Sequence, residues 1–157
     1  MIRRVLVVCS GNTCRSPMAA TLLQRLWDQA NPGWALVVTS AGTSAYPGQD
    51  ASEHAVTAVR RWELDLSQHR SRMVDDQVLA DVDLVLTMTK RHKEHILTLR
   101  PDMVGRVFTM SEYAGTDGDV ADPFGGSLAV YEDTATKFAE QLQIVVERIQ
   151  REGRPPR

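Results

Sequence analysis

The chain is poor in most of the features that assign a protein to a class at a glance. It carries 2 cysteines in 157 residues, too few for a secreted disulfide scaffold and in keeping with reduced thiols in a cytoplasmic protein. No apolar run approaches the roughly 20 residues that span a bilayer. The Arg3-Arg4 pair mimics a twin-arginine signal, but the apolar stretch behind it is too short. A basic excess is missing as well. With 18 Lys and Arg against 20 Asp and Glu, a net charge of -2 and a pI near 6.1, a nucleic-acid binder held by a broad basic face is excluded. There is no Gly-Lys-Ser/Thr for a Walker-type nucleotide site. There is no His-Glu-x-x-His either: His92, Glu94 and His95 stand in an order that reads as a solvated helix face, not a metal site. We therefore expect a monomer that needs no metal, cofactor, membrane or nucleic acid. What remains is ordinary for a globular protein: 43% hydrophobic residues and enough length for one domain with a full core.

The richest stretch is Val5 to Met18. Val5 to Val8 form an apolar run suited to a strand covered on both faces, Gly11 and Asn12 allow a sharp turn, and Ser16-Pro17 reads as an N-cap followed by the first helical residue. Met18, Leu22, Leu23, Leu26 and Trp27 continue that helix to a stop at Asn31-Pro32-Gly33. A second strand is expected from Ala35 to Ala41, followed by an irregular Gly42 to Asp50 loop in which Tyr46, with Trp34, is placed at the mouth of a site. Ser52 caps a helix through Trp62, and a short helical segment lies near Asp75 to Leu79, with the acids from Asp75 to Asp83 read as surface. Leu84 to Leu86 form a third strand, Lys90 to Leu99 a helix, and Gly105 to Phe108 a fourth strand. A long loop from Met110 to Ser127 then leads into a helix marked by Val130, Thr134, Phe138, Leu142, Val145 and Ile149.

Strands alternating with helices predict a single three-layer α/β/α domain over residues 1–152 and a short tail at 153–157, with the chain expected to fray from Arg151 to Arg157. Its sheet is expected to be parallel, four-stranded and ordered 2-1-3-4, with ligand sites outside the carboxyl ends of the strands. All three irregular loops lie at that end.

The first loop carries the chemistry. A thiol at a helix N-terminus beside a guanidinium has its anion stabilised, which makes Cys9 a nucleophile. Arg15 can hold two phosphoryl oxygens bidentately, and the N–H groups of Ser10, Gly11, Asn12, Thr13, Cys14, Arg15 and Ser16 can cradle the rest. Ser16 can donate to the Cys9 sulfur. Phosphoryl transfer through a phosphocysteine needs little beyond such positioning, together with one carboxyl group to protonate the leaving group and later activate water. Asp122, held by Pro123, is the candidate, and Asp119 the fallback. Cys14 is open to two readings, a reversible disulfide partner for Cys9 or a side chain packed beneath the loop.

These residues resemble the low-molecular-weight protein tyrosine phosphatase family along essentially the whole chain. The family's Cys-x-Gly-Asn-x-Cys-Arg-Ser-Pro signature stands as Cys9 to Pro17, implying Cys9 as nucleophile, Arg15 as phosphate clamp and Ser16 as thiolate partner. Asp122-Pro123 is similar to the family's general acid, and Ser40 and His69 resemble the positions that buttress the loop through Asn12. The likeness is closer to the bacterial protein arginine phosphatases, because Thr13 stands where tyrosine-directed members commonly carry Ile and Met88-Thr89 replaces Met-Asp. Phosphoarginine also suits the site physically. A planar guanidinium wants a carboxylate such as Asp122, whereas a phosphotyrosine ring wants apolar walls and finds only Phe124. A phosphoprotein phosphatase preferring phosphoarginine is expected, with tyrosine phosphatase as the alternative. Two rivals stand further off. A flavin-binding electron carrier has no use for Cys9 and Arg15, and an arsenate reductase needs resolving cysteines beyond Cys14, where none follows.

Overall fold

The computed structural model describes residues 1–156. Four strands, β1 (Arg4–Cys9), β2 (Val37–Gly42), β3 (Leu84–Thr87) and β4 (Val107–Thr109), pair in parallel in the order β2-β1-β3-β4, the expected topology. The helices are α1 (Arg15–Ala30), α2 (Glu53–Ala58), α3 (Asp76–Leu79), α4 (Lys90–Leu99), α5 (Met110–Tyr113) and α6 (Leu128–Glu152). Among the described residues, no helix is long and apolar enough to cross a membrane.

Strand β1 is central because it can be buried on both faces. Val5, Val7 and Cys9 point into a core shared with Met18, Leu22 and Trp27 of α1 and Phe138, Leu142 and Ile149 of α6. Leu6 and Val8 point the other way, onto Val85, Val107, Leu79, Ile96 and Met103. This period-two division explains why an unbroken apolar run encodes an interior strand. Its last residue, Cys9, lies in register with Gly42 at the carboxyl edge of the sheet, so the thiol emerges where the crossover loops converge.

Several elements depart from the sequence-based expectation. Ser16 is not the N-cap of α1: the helix begins at Arg15, Cys14 holds the cap position, and no side chain caps it. The serine hydroxyl is turned instead to its other expected partner, the Cys9 sulfur. That leaves the first-turn N–H groups without a side-chain acceptor, as an anion site requires. Strand β2 begins at Val37 rather than Ala35, and the loop after β4 is shortened by α5, which a Thr109–Glu112 capping box starts. The acids from Asp75 to Asp83 are not mere surface. Asp75 caps α3, and Asp83 accepts the N–H groups of Arg3 and Arg4 at 2.8 and 2.9 Å, pinning the start of β1. Nor does fraying begin at Arg151. Helix α6 runs to Glu152, the Gly153 carbonyl accepts the Ile2 N–H at 2.8 Å, and Arg154 lies 5.4 Å from the Trp34 ring.

Among the glycines, Gly42 leaves the least room for a side chain. A Cβ placed there would lie 2.2 Å from the Ser10 carbonyl oxygen and 2.9 Å from the Ala45 Cβ. Backbone cannot yield as a flexible side chain does. Gly42→Ala is therefore expected to destabilise the protein by about 3 kcal/mol, measurable by urea unfolding; a loss below roughly 0.5 kcal/mol, the range of an unconstrained surface change, would contradict this packing.

Candidate active site

The floor of the site is built around Asn12. Its φ of 57° is a left-handed conformation that asparagine tolerates better than most residues. Its side chain is fully buried. Nδ2 donates to Ser16 Oγ at 2.8 Å and to Ser40 Oγ at 2.9 Å, while Oδ1 accepts the Arg72 N–H at 2.9 Å. His69 donates from Nε2 to the Asn12 carbonyl at 2.7 Å, which fixes the proton on that nitrogen. The expected buttressing residues Asn12, Ser40 and His69 thus form one network.

The same network directs donors at the sulfur. Because Ser16 Oγ accepts from Asn12, its own proton is free for Cys9 Sγ, 2.9 Å away, and the Asn12 N–H reaches that sulfur at 3.3 Å. Two donors thus converge on one sulfur. Arg15 is 5% exposed. It donates to the Val120 carbonyl at 2.9 Å, approaches Ser10 Oγ at 3.5 Å and lies 3.6 Å from the Asp122 carboxylate.

Asp122 arrives on a tethered loop. The Val120 N–H bonds to the Met88 carbonyl at 2.9 Å, and Asp119 accepts the Lys90 N–H at 2.9 Å. Asp119 is thereby engaged as an anchor at the start of α4. A cavity of about 360 Å³ is lined by Cys9, Gly11, Thr13, Cys14, Arg15, Gln49, Asp122 and Phe124. A larger one, about 510 Å³, lies behind the same loop against α6, and neither cysteine lines it.

Two side chains at the site were not anticipated from sequence. Gln49 lines the cavity from the β2–α2 loop, and no local pattern marks such a position. His92 does not sit on a solvated face: it is 4% exposed, with Nε2 2.8 Å from Ser10 Oγ and Nδ1 3.0 Å from Thr89 Oγ1. Conversely, Tyr46 and Trp34 do not line the cavity. Tyr46 is exposed, and Trp34 packs edge-on to Trp27 and donates to the Ile2 carbonyl, near the amino end of β1. Cys14 is a free thiol, 3.4 Å from both Ser52 Oγ and the Tyr131 hydroxyl. Burial, with that thiol contact, pushes the Tyr131 hydroxyl up to about 12.

A model of the low molecular weight phosphotyrosine protein phosphatases matches residues 4–155. The chain belongs to this family. Among curated relatives, a protein-arginine-phosphatase of Bacillus subtilis (strain 168) is 37% identical, over 96% of this chain and 99% of its own. The low molecular weight protein-tyrosine-phosphatase PtpB of Staphylococcus epidermidis is 38% identical, over 86% and 91%. Among solved structures, a mutant of the YwlE arginine phosphatase with a phosphorylated active-site serine superposes with a TM-score of 0.89 at 36% identity, covering 95% of this chain and 97% of its own.

The site histidines give this family member a defined pH response. Burial, reinforced by Arg15 and His95 and opposed by Asp119 and Asp122, pushes His92 down to about 4; burial also lowers His69, against its bond to Asn12 and with Arg70 and Arg72 assisting. A histidine depressed in the folded state takes its proton first in the unfolded chain, so its stabilisation is complete above about pH 6.5 and is lost as pH falls towards 4. Urea unfolding should show His92 alone contributing a loss of ~2 kcal/mol between about pH 7.5 and about pH 5, with His69 adding in the same direction. His92→Gln should flatten the profile; an unchanged slope would remove His92 as the cause.

Proposed function

We propose that this chain is a cysteine-dependent phosphoprotein phosphatase whose preferred substrate is phosphoarginine. The observation that carries the reading is the single cavity shared by Cys9, Arg15 and Asp122, residues brought together from β1, the start of α1 and a loop more than 100 positions away. Arg15 and the N–H groups from Ser10 to Ser16 hold the phosphoryl oxygens. The Cys9 thiolate attacks phosphorus in line, the P–N bond breaks, and Asp122 delivers its proton to the departing guanidine. The phosphocysteine is then attacked by water, which gives its proton to Asp122. Inorganic phosphate leaves with its S–P bond broken, and the thiolate returns. Every charge that develops meets a donor already in place, so the chemistry rests on electrostatic preorganisation.

Sequence identity does not separate the two substrate classes, since relatives named for arginine and for tyrosine match at 37% and 38%. The cavity wall favours arginine. Phe124 is its one aromatic side chain and is 76% exposed, leaving no slot to clasp a phenyl ring. Thr13 presents a hydroxyl beside the phosphate site, and Asp122 offers a carboxylate that can pair with the guanidinium product. Tyrosine phosphatase activity with the same mechanism is the alternative. We read the chain as a cytoplasmic monomer whose partners are phosphorylated proteins.

Hydrolysis of matched phosphoarginine and phosphotyrosine peptides decides between them. Wild type should favour phosphoarginine, and Thr13→Ile should shift the ratio towards phosphotyrosine by about tenfold, roughly the ~1.4 kcal/mol that one pocket group contributes to discrimination. Cys9→Ser should abolish turnover, and Asp122→Ala should cost about 100-fold in kcat, the scale of general acid catalysis. Faster tyrosine turnover that Thr13→Ile leaves unchanged would sink the substrate assignment.

Cys14 lines the same cavity as Cys9, which supports a protective role. Peroxide oxidises the Cys9 thiolate to a sulfenic acid, and the Cys14 thiol condenses with it to a disulfide, releasing water. Without Cys14 a second peroxide takes the sulfenic acid on to a sulfinic acid that thiols do not reduce, so peroxide-treated wild type should recover with dithiothreitol while Cys14→Ser should not; equal recovery would leave Cys14 a packing residue.

A further inference from the structure

The phosphoryl-transfer scheme leaves His92 without a task, although it touches the loop from 82 positions away in sequence. It stands in the first turn of α4, whose cap, Thr89, accepts the His92 N–H through Oγ1 at 3.2 Å. An imidazole placed only to fill the core would finish its hydrogen bonding on the nearest backbone. This one reaches out of its own helix to Ser10 Oγ, the same oxygen that lies 3.5 Å from Arg15 Nη2. One assignment of the protons runs the length of this path. Arginine can only donate, so Ser10 Oγ accepts from it and keeps its own hydroxyl proton free for a bare His92 Nε2. In that tautomer the ring proton sits on Nδ1 and is donated to Thr89 Oγ1 at 3.0 Å. All donors then point one way, from Arg15 through Ser10 and His92 to Thr89. Each bond in such a chain polarises the next.

We propose that His92 is a positioning residue for the phosphoryl-transfer site, holding one edge of the Arg15 guanidinium through Ser10 while the Val120 carbonyl holds another of its terminal nitrogens. With those contacts occupied, the remaining N–H groups of Arg15 face the phosphoryl oxygens in a fixed plane. A guanidinium already oriented spends less entropy on binding the anion. Ser10 thus contributes through its side chain as well as its backbone, and the β3–α4 connection becomes part of the anion site although it touches no substrate.

The inference rests on the phosphatase reading but is tested independently of it, because inorganic phosphate probes the anion site whatever the enzyme hydrolyses. Phosphate affinity is measured by calorimetry, and kcat and KM with p-nitrophenyl phosphate, for wild type, His92→Ala, His92→Gln, Ser10→Ala and the Ser10→Ala/His92→Ala double variant. Each alanine variant should weaken phosphate binding about tenfold, as loss of a hydrogen bond to a charged group predicts. The double variant should be no weaker than about twice the worse single one, since the two residues act in series. His92→Gln supplies an acceptor near the Nε2 position and should stay within about threefold of wild type. Ser10→Ala leaves the buried ring in place, so the test survives if His92→Ala unfolds. Unchanged phosphate affinity in Ser10→Ala, losses that multiply in the double variant, or a folded His92→Gln as weak as His92→Ala would each overturn the proposal. A wild type that binds phosphate but hydrolyses no phosphate ester or phosphoramidate would instead overturn the phosphatase reading.

Discussion

The site depends on one buried carboxamide. Asn12 must satisfy two demands that no other residue type meets together: a left-handed backbone and a side chain that ties the loop to β2, α1 and the segment before α3. Glycine would accept the dihedral and lose every tether; glutamine or serine would keep some polarity and resist the turn. The electrostatics follow from the same bond. Because Asn12 can only donate through Nδ2, Ser16 is left to point its proton at Cys9. A single side chain therefore sets both the curvature that gathers the N–H groups and the hydrogen bond that steadies the sulfur anion.

The sheet order brings the acid to this loop with little freedom to spare. Met88, just beyond β3, donates its N–H to the Val8 carbonyl and accepts the Val120 N–H with its own carbonyl. The acid-bearing loop is thus stitched to the strand edge beside the phosphate loop, and Asp119 and Arg15 secure it on either side of that stitch. Asp122 stands only two residues past an anchored backbone. This explains how a carboxylate so distant in sequence is delivered within 3.6 Å of Arg15 while remaining half-exposed. Chain length before the anchor matters little, because the entropy of closing that loop is settled on folding.

The β1–loop–α1 unit was legible because each of its signals is local: a two-faced apolar run, a Gly-Asn turn and a helix start within 15 residues. The topology followed from alternation of elements, and Asp122 from its Pro neighbour and the family resemblance. Ser16 reads both as an N-cap and as the partner of the Cys9 sulfur, and only the second contact forms, since one hydroxyl at a helix start can serve the backbone or a sulfur seven residues earlier. His92 was misread because its partner lies on a strand end that sequence spacing cannot relate to it. Helix α5 was hidden by its length of four residues, although Thr109-x-x-Glu112 is a capping-box pattern that could have revealed it.

Stability and chemistry are drawn from different parts of the molecule. The apolar clusters run along both faces of the sheet, while the buried polar groups Asn12, Arg15, Ser16 and His92 gather at its carboxyl edge. Among the described residues, every buried polar side-chain atom has a hydrogen-bond partner, so this edge is complete before substrate arrives and imposes no debt of unpaired groups on the core. Only the contact between Arg15 and Asp122 must be exchanged when a phosphoryl group enters. It is the weakest of the set, at 3.6 Å with the carboxylate half in water. On the proposed reading, the rigid half of the site handles the phosphoryl group common to all candidate substrates, and the more exposed half, Asp122, Phe124 and Thr13, meets the part that differs. Such a division lets one phosphate loop serve arginine-directed and tyrosine-directed relatives through changes at its rim, without disturbing the groups that hold the anion.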